Sequence, residues 1–296
     1  MKTALVATGG TIGSRLDASG SIVLSDAATE QISTIVGAYA VYDKVKIHSE
    51  RMRLPDLNGI RDAVTCAMAD KPDAVIVTHG SDTLAYSAAY LAYSFCSTDI
   101  PIVLCAADLP LTDHESNGFA VLNSAKTFVQ SRKSGVYAVC KNPGLPPKIH
   151  HGARLLPAHF FDSSFGSIAG GAFCDTGLFN GMDFDVSGVK ALMINPYVGM
   201  DYSGFKLDGY SAIVHTPFNS GTVNVDDFNA FAASTDKPIF LTTGFARCND
   251  VLPENVVCCP AITPTALYVK LLIGIKNKVK DLPAFVRKNG CGEIGR

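Results

Sequence analysis

The chain is predicted to adopt an α/β fold: a larger N-terminal open, mostly parallel sheet flanked by helices, plus a smaller C-terminal α/β domain. Short apolar runs that suit buried strands alternate with amphipathic stretches of helical period. Closely spaced glycines interrupt this alternation at 168–187 and indicate a connection between domains. With 296 residues, 47% of them hydrophobic, the chain is long enough for two cores.

The predicted strands are nearly continuous in apolar residues, as expected where helices cover both faces of a parallel sheet. In the N-terminal part they are 5–7, 45–47, 74–78, 102–105 and 136–140, and the helical patterns between them are 27–39, 57–68 and 83–95. In the C-terminal part, strands are predicted at 190–194, 211–215, 238–243 and 256–259, and helices at 226–233 and 264–276. We therefore predict an N-terminal domain at 1–167, an interdomain connection at 168–187 and a C-terminal domain at 188–296.

Charge and cysteine content restrict the class of protein. The formal net charge of −2 gives no electrostatic reason to expect nucleic acid or a membrane as partner. The N-terminal apolar run is too short for a signal peptide, and no stretch is long enough to span a membrane. The nine cysteines have no Cys-x-x-Cys spacing, and most lie in apolar runs, so we expect reduced thiols and a cytoplasmic location. Simple packing is favoured, with oxidation as the alternative, for the thiols of Cys258, Cys259 and Cys291. No cofactor is predicted. No metal is predicted either, because the pair His150-His151 and nearby His159 lack ligand spacing and a carboxylate partner.

A glycine-rich turn follows the first predicted strand. Residues 8–13 read TGGTIG, whose glycines permit a tight turn and close approach of the backbone to a ligand. The hydroxyls of Thr8 and Thr11 are expected to point into the same crevice. A phosphate or dinucleotide loop is the alternative, but the glycine spacing differs from Gly-x-Gly-x-x-Gly and no Gly-Lys-Ser/Thr follows.

Two further strand ends carry hydroxyl groups. Ser49 lies in segment 47–52, and Ser81 and Asp82 lie in segment 78–83. Ligands gather beyond the carboxyl ends of parallel strands, so these loops are expected to meet the glycine turn. Ser81 or Asp82 can also cap the following helix, and Asp82 can hold a cationic amino group. Together the three loops predict a small-molecule site.

Segments 8–12 and 79–83 resemble the two signature segments of the asparaginase/glutaminase family, and 47–52 resembles its substrate loop. The likeness extends to segments 101–105, 118–125, 195–200, 218–224 and 264–270. The resemblance implies a cytoplasmic type I-like L-asparaginase that hydrolyses the side-chain amide of asparagine to aspartate and ammonia. It also implies a homodimer or homotetramer, because a neighbouring subunit completes the active site in this family.

The resemblance assigns a role to each matched residue. Thr11 matches the threonine that attacks the amide, and Ser81 matches a second triad in which most members carry threonine. Asp82 would bind the α-amino group of the substrate, and Ser49 with the adjoining backbone its α-carboxylate. Backbone N–H groups near 10–12 and 80–81 would stabilise the oxyanion. The implied catalytic residues are Thr11, Ser81 and Asp82, and the implied substrate-binding residues are Gly10, Ser49, Gly80, Ser81 and Asp82.

The chain departs from the family pattern at two places. Loop 14–26 contains no tyrosine, although the family has one there. The position of the triad lysine holds Pro157 or Ala158, which lack a proton-accepting side chain. Lys148 and His159 are the nearest replacements, and the alternative is that both are surface residues. The second interpretation is therefore a divergent, non-catalytic or retargeted homologue that binds an amino acid or a partner protein.

Overall fold

The structure, a computed structural model, describes residues 1–170, 176–243 and 252–295. The chain divides into two compact units, Met1–Ser167 and Ile168–Arg296. Within the predicted connection at 168–187, residues 171–175 lie outside the described residues. The predicted domain boundaries therefore stay a prediction.

The first unit contains a six-stranded sheet, a hairpin and four helices. Its strands are β1 (Thr3–Ala7), β2 (Ser14–Leu16), β3 (Ile22–Leu24), β4 (Ala38–Tyr42), β5 (Ala74–Thr78), β6 (Pro101–Cys105), β7 (Gly135–Cys140) and β8 (Lys148–His151). Its helices are α1 (Asp26–Val36), α2 (Leu54–Ala69), α3 (Leu84–Ser94) and α4 (Gly118–Val129). The sheet order is β4-β1-β5-β6-β7-β8, with every pairing parallel except that of β7 with β8. Strands β2 and β3 pair only with each other, as an antiparallel hairpin.

The central strands are mostly apolar and are buried along their whole length because helices cover them. Every residue of β1, β5 and β6 is buried. Helices α1 and α4 pack together over one hydrophobic cluster with these strands, while α2 and α3 contact each other and the sheet. The carboxyl ends of β1 and β5, which pair in register, therefore emerge side by side from a rigid base.

The prediction of a strand at 45–47 is wrong. The strand that follows α1 is β4, and it lies at the edge of the sheet. Gly37 ends α1 in the left-handed conformation with φ 68°, so the predicted helix at 27–39 stops early. Exposed and half-buried residues alternate along β4, although its sequence AYAVY is apolar throughout, as expected of a strand at the edge of a sheet. Ile47 instead forms an isolated parallel bridge with Gly9.

The second unit is a smaller α/β layer with a parallel sheet. Its strands are β9 (Ala191–Ile194), β10 (Ala212–His215), β11 (Ile239–Thr243) and β12 (Val256–Pro260), and its helices are α5 (Val225–Ala233), α6 (Pro264–Lys276) and α7 (Leu282–Arg287). The strands lie in the order β12-β11-β10-β9, and all pairings are parallel. The fold class predicted from the sequence is confirmed.

Three further expectations concern chemistry outside the site. Cys258 is disulfide-bonded, so the expectation of a reduced, simply packed thiol is wrong at that position. Its neighbour Cys259 is a free, buried thiol. Within the described ranges, no helix is long and apolar enough to cross a membrane. The same part of the chain holds no cluster of three or more His, Cys, Asp or Glu placed to bind a metal ion.

Candidate active site

Three loops meet at the carboxyl ends of β1 and β5. Gly10 has φ 73°, and a Cβ atom there would overlap the backbone of His79 and Gly80. A Cβ atom on Gly80 would lie 2.6 Å from the Cβ atom of Ser49. Only glycine permits this approach at either position, so the two glycines let three backbone segments close around one point.

The third loop reaches this point although it does not follow a regular strand. The backbone N–H of Ile47 donates to the Thr8 carbonyl at 2.8 Å, and the Gly10 N–H donates to the Ile47 carbonyl at 3.3 Å. This extension of the pairing beyond β1 places the short 3₁₀ helix Ser49–Arg51 beside the glycine turn. The predicted meeting of the three loops is therefore present in the structure.

Ser49 and Asp82 form the polar floor of the site. The Ser49 hydroxyl donates to Oδ2 of Asp82 at 3.0 Å. Ser49 is buried, whereas Asp82 is exposed. The Thr83 hydroxyl in turn donates to the Ser49 carbonyl at 3.0 Å. The carboxylate of Asp82 is thus held in place from one side and accessible from the other, an arrangement that suits a cationic amino group.

The hydroxyls of Thr11 and Ser81 belong to half-exposed residues. Neither makes a side-chain hydrogen bond to any residue within the ranges that the structure describes. Thr11 opens the 3₁₀ helix Thr11–Gly13, where the first N–H groups have no partner inside the helix. The N–H of Gly10, however, is used by Ile47 and is not a free donor, so the expected oxyanion donors reduce to later N–H groups of this turn and those of the second loop.

The expectation that Thr8 shares the crevice with Thr11 is wrong. Thr8 is buried, and its hydroxyl donates to the Thr78 carbonyl. Its N–H donates to the Thr78 hydroxyl at 3.2 Å. These two bonds join the ends of β1 and β5, so Thr8 stabilises the base of the site rather than facing a ligand.

The loop after the glycine turn is an ordered hairpin, β2–β3. Ser14 at its start is buried, and its hydroxyl donates to the Gly10 carbonyl at 2.8 Å. At its tip the Asp17 carboxylate accepts from the N–H groups of Ser19 and Ser21 at 2.8 and 2.9 Å. The polar side chains of this tip therefore bind one another. They do not take the place of the tyrosine that the family carries in this loop.

The segment matched to the triad lysine lies on a second ordered hairpin. The Leu156 N–H donates to the Gly166 carbonyl at 2.9 Å, which closes the loop that carries Pro157 and Ala158. His159 lies 3.2 Å from Asp162, with 58% of its side chain exposed, and Lys148 is exposed. In the part of the chain that is described, no hydrogen bond or ion pair joins either residue to the three loops.

One buried residue of the site received no role from the sequence. His79 is 2% exposed and binds Gly80 and Ser87 through its two ring nitrogens. Burial lowers the pKa of its imidazole below the ordinary value. Ser87 is a buried hydroxyl on α3, eight residues after His79, and a buried serine on this alanine-rich helix is the signal that could have pointed to a polar partner.

Replacing Gly10 with alanine is expected to destabilise the protein by at least about 2 kcal/mol, because the new Cβ meets backbone atoms and the left-handed φ is strained. The control is Gly13→Ala, three residues away. Gly13 has no neighbour within 4 Å of a Cβ, so this change is expected to alter stability by less than about 0.5 kcal/mol. Urea denaturation measures both. Equal midpoints for the two variants would contradict the close packing of the loops.

A family model identifies the family to which the chain belongs. The model described as "Asparaginase, N-terminal" matches residues 2–162, which is more than half of the 296-residue chain and includes all three loops. The chain belongs to the asparaginase family. The resemblance drawn from the signature segments is thereby confirmed.

Relatives of this asparaginase-family chain differ in name. An L-asparaginase of Thermococcus kodakarensis is 33% identical over 90 residues, which are 30% of this chain and 26% of the relative. A glutamyl-tRNA(Gln) amidotransferase subunit from Pyrococcus furiosus is 23% identical over 98% of this chain and 76% of its own. The matches with the first three relatives span only 26% to 39% of those relatives' lengths. Among solved structures, L-asparaginase I of Vibrio cholerae superposes with a TM-score of 0.77 at 20% identity, covering 100% of this chain and 99% of that one.

Proposed function

We propose that the chain is an L-asparaginase-like amidohydrolase that uses Thr11 as its nucleophile. The observation that supports this most strongly is the close backbone approach of Gly10 to Gly80, which brings the loop of Thr11 beside the loop of Ser81 and Asp82. Two hydroxyls without side-chain partners among the described residues and one anchored carboxylate are the groups that an amino-acid amide requires.

In the proposed reaction, the Thr11 oxygen attacks the side-chain amide carbon of asparagine. The C–O bond of an ester forms, the C–N bond breaks, and the departing ammonia takes up the hydroxyl proton. Water then hydrolyses the ester, releasing aspartate and restoring Thr11. Asp82 binds the α-ammonium group of the substrate. Ser49 and its adjoining backbone bind the α-carboxylate, for which the Ser49 hydroxyl exchanges its hydrogen bond to Asp82 for one to the substrate. Ser81 supplies the second hydroxyl of the site.

The identity of the proton acceptor distinguishes this chain from the family pattern. Pro157 and Ala158 offer no basic side chain, and loss of a general base costs about 10²–10⁴-fold in rate. We therefore expect turnover that is measurable but slower than that of a family member with a complete triad.

A panel of amide substrates with ammonia detection tests the proposal. Ammonia release from asparagine, glutamine and simple amides is measured for the wild-type protein and for Ser81→Ala. We expect asparagine to release ammonia in wild type, and Ser81→Ala to reduce the rate by about 10²-fold or more. Glutamine belongs in the panel because one methylene separates the two amino acids. No ammonia from any amide would refute the proposal.

A second candidate is a non-catalytic or retargeted homologue that binds an amino acid or a partner protein. It is favoured by Pro157 and Ala158, and by relatives that are named as subunits of an amidotransferase. Titration calorimetry with asparagine and aspartate separates the two: binding without turnover supports this candidate.

Light scattering tests the proposed homodimer or homotetramer, which a monomer would contradict.

A further inference from the structure

His79 is enclosed between the end of β5 and helix α3. Its imidazole is almost fully buried, and both ring nitrogens lie within hydrogen-bond distance of a partner: Nδ1 is 2.7 Å from the Gly80 carbonyl, and Nε2 is 2.8 Å from the Ser87 hydroxyl. The proposed reaction assigns nothing to this residue, although it lies beside the second loop of the site.

The partners determine the protonation of the ring. A carbonyl oxygen only accepts, so Nδ1 of His79 carries the hydrogen and donates to Gly80. Nε2 is then the acceptor, and the Ser87 hydroxyl donates to it. Since burial lowers the pKa of this imidazole, the neutral ring with one defined tautomer is maintained.

This hydrogen bond sets the direction of the next peptide. The chain has no cis peptide bonds in its described part, so the Gly80–Ser81 peptide is trans and planar. In a trans peptide the C=O and N–H groups point in opposite directions. The Gly80 carbonyl points to the buried imidazole, and the Ser81 N–H therefore points away from it. Among the described residues this N–H has no hydrogen-bond partner.

A glycine peptide needs such a restraint. Gly80 has no side chain to limit its dihedral angles, because a Cβ atom there would collide with Ser49. The Gly80–Ser81 peptide therefore meets fewer steric limits on its rotation than a peptide that follows a residue with a side chain. The His79 side chain supplies the fixed donor that selects one orientation.

We propose that His79 is a positioning residue, which fixes the Gly80–Ser81 peptide so that the Ser81 N–H donates to the anionic oxygen formed during amide hydrolysis. The proposal rests on the proposed function, because the oxygen belongs to the tetrahedral intermediate of that reaction. Ser87 contributes by holding the ring in the tautomer that donates to Gly80. A preorganised donor of this kind acts on kcat rather than on substrate binding.

Two substitutions separate positioning from packing. In His79→Asn, the side-chain N–H₂ occupies nearly the place of Nδ1 and can still donate to Gly80. In His79→Gln, the longer amide reaches the place of Nε2 and Ser87, and the bond to Gly80 is lost. We expect His79→Gln to lower kcat roughly 10²-fold with KM within about 3-fold, and His79→Asn to recover most of kcat. Equal kcat values in variants of equal melting temperature would overturn the proposal.

Crystal structures of the two variants test the same inference without turnover. The proposal predicts the native Gly80–Ser81 peptide in His79→Asn and a flipped or mixed peptide in His79→Gln. The native orientation in both variants would overturn it. If wild type hydrolyses no amide, the proposed function fails, while the peptide orientation still decides whether His79 positions Ser81.

Discussion

Replacing Thr11 with alanine is expected to reduce amide hydrolysis by at least about 10⁴-fold, because the Thr11 oxygen forms the covalent ester in the proposed reaction. The folded state should be little affected. Thr11 is half-exposed, and its hydroxyl binds no other residue in the described ranges, so its loss leaves no buried group unpaired. Ammonia release from asparagine measures the activity, and thermal melting verifies the fold.

The control for this variant is Thr11→Ser, which keeps the hydroxyl and removes a methyl group. We expect it to retain measurable turnover, lowered by the freer rotation of the serine side chain. Alanine and serine variants of equal activity would contradict the role of Thr11.

Replacing Lys270 with methionine is expected to destabilise the second unit by about 3–5 kcal/mol, because it leaves the Glu293 carboxylate buried without its cation. Both side chains are fully buried and form an ion pair. The Lys270 ammonium also donates to the carbonyls of Val286 and Lys288. The Glu293 carboxylate accepts from backbone N–H groups of the same tail, so the pair fastens the end of the chain to α6.

The matched control lies on the same helix. Half-buried Lys276 forms an ion pair with exposed Asp183 at 3.2 Å, and Lys276→Met is expected to cost less than about 1 kcal/mol because solvent screens this pair. Adding Glu293→Gln to Lys270→Met should recover part of the loss, because the buried charge is then removed. Urea denaturation measures all three. A Lys270→Met variant as stable as Lys276→Met would show that the pair adds nothing.

The pair also predicts a dependence of stability on acid. Burial alone would raise the pKa of Glu293, but the Lys270 charge and the backbone N–H groups of Gly290 and Cys291 outweigh it and lower the pKa. A lowered folded-state pKa contributes stability above the unfolded-state value of about 4.3, and that stability is lost as the pH falls through the folded-state value. The unfolding free energy of Glu293→Gln should therefore fall less steeply with acid than that of wild type.

Much of the fold could be predicted because burial leaves a direct trace in the sequence. Strand β5 at 74–78 and helix α6 at 264–276 agree with their predicted bounds, since one is apolar throughout and the other has threonine and proline at its start. The edge strand β4 is missed although its sequence AYAVY is apolar, because the predicted helix extends to residue 39, past the Gly37 that ends α1.

The site was predictable in its loops and less so in its contacts. Gly10 and Gly80 indicate that the backbone approaches another group closely at each position. Nothing in the sequence shows that these two glycines approach each other. Thr8 and Thr11 look equivalent in the chain, and only the pairing of β1 with β5 commits Thr8 to the interior. The burial of Lys270 likewise depends on a carboxylate 23 residues further along the chain.

In the proposed reaction Thr11 carries a covalent acyl intermediate. Its most direct test is mass spectrometry of wild-type protein quenched with acid during turnover of asparagine. We predict an aspartyl ester on the peptide that contains Thr11, and no adduct in Thr11→Ala. Turnover that continues in Thr11→Ala, or an adduct on another residue, would contradict the assignment of Thr11 as the nucleophile.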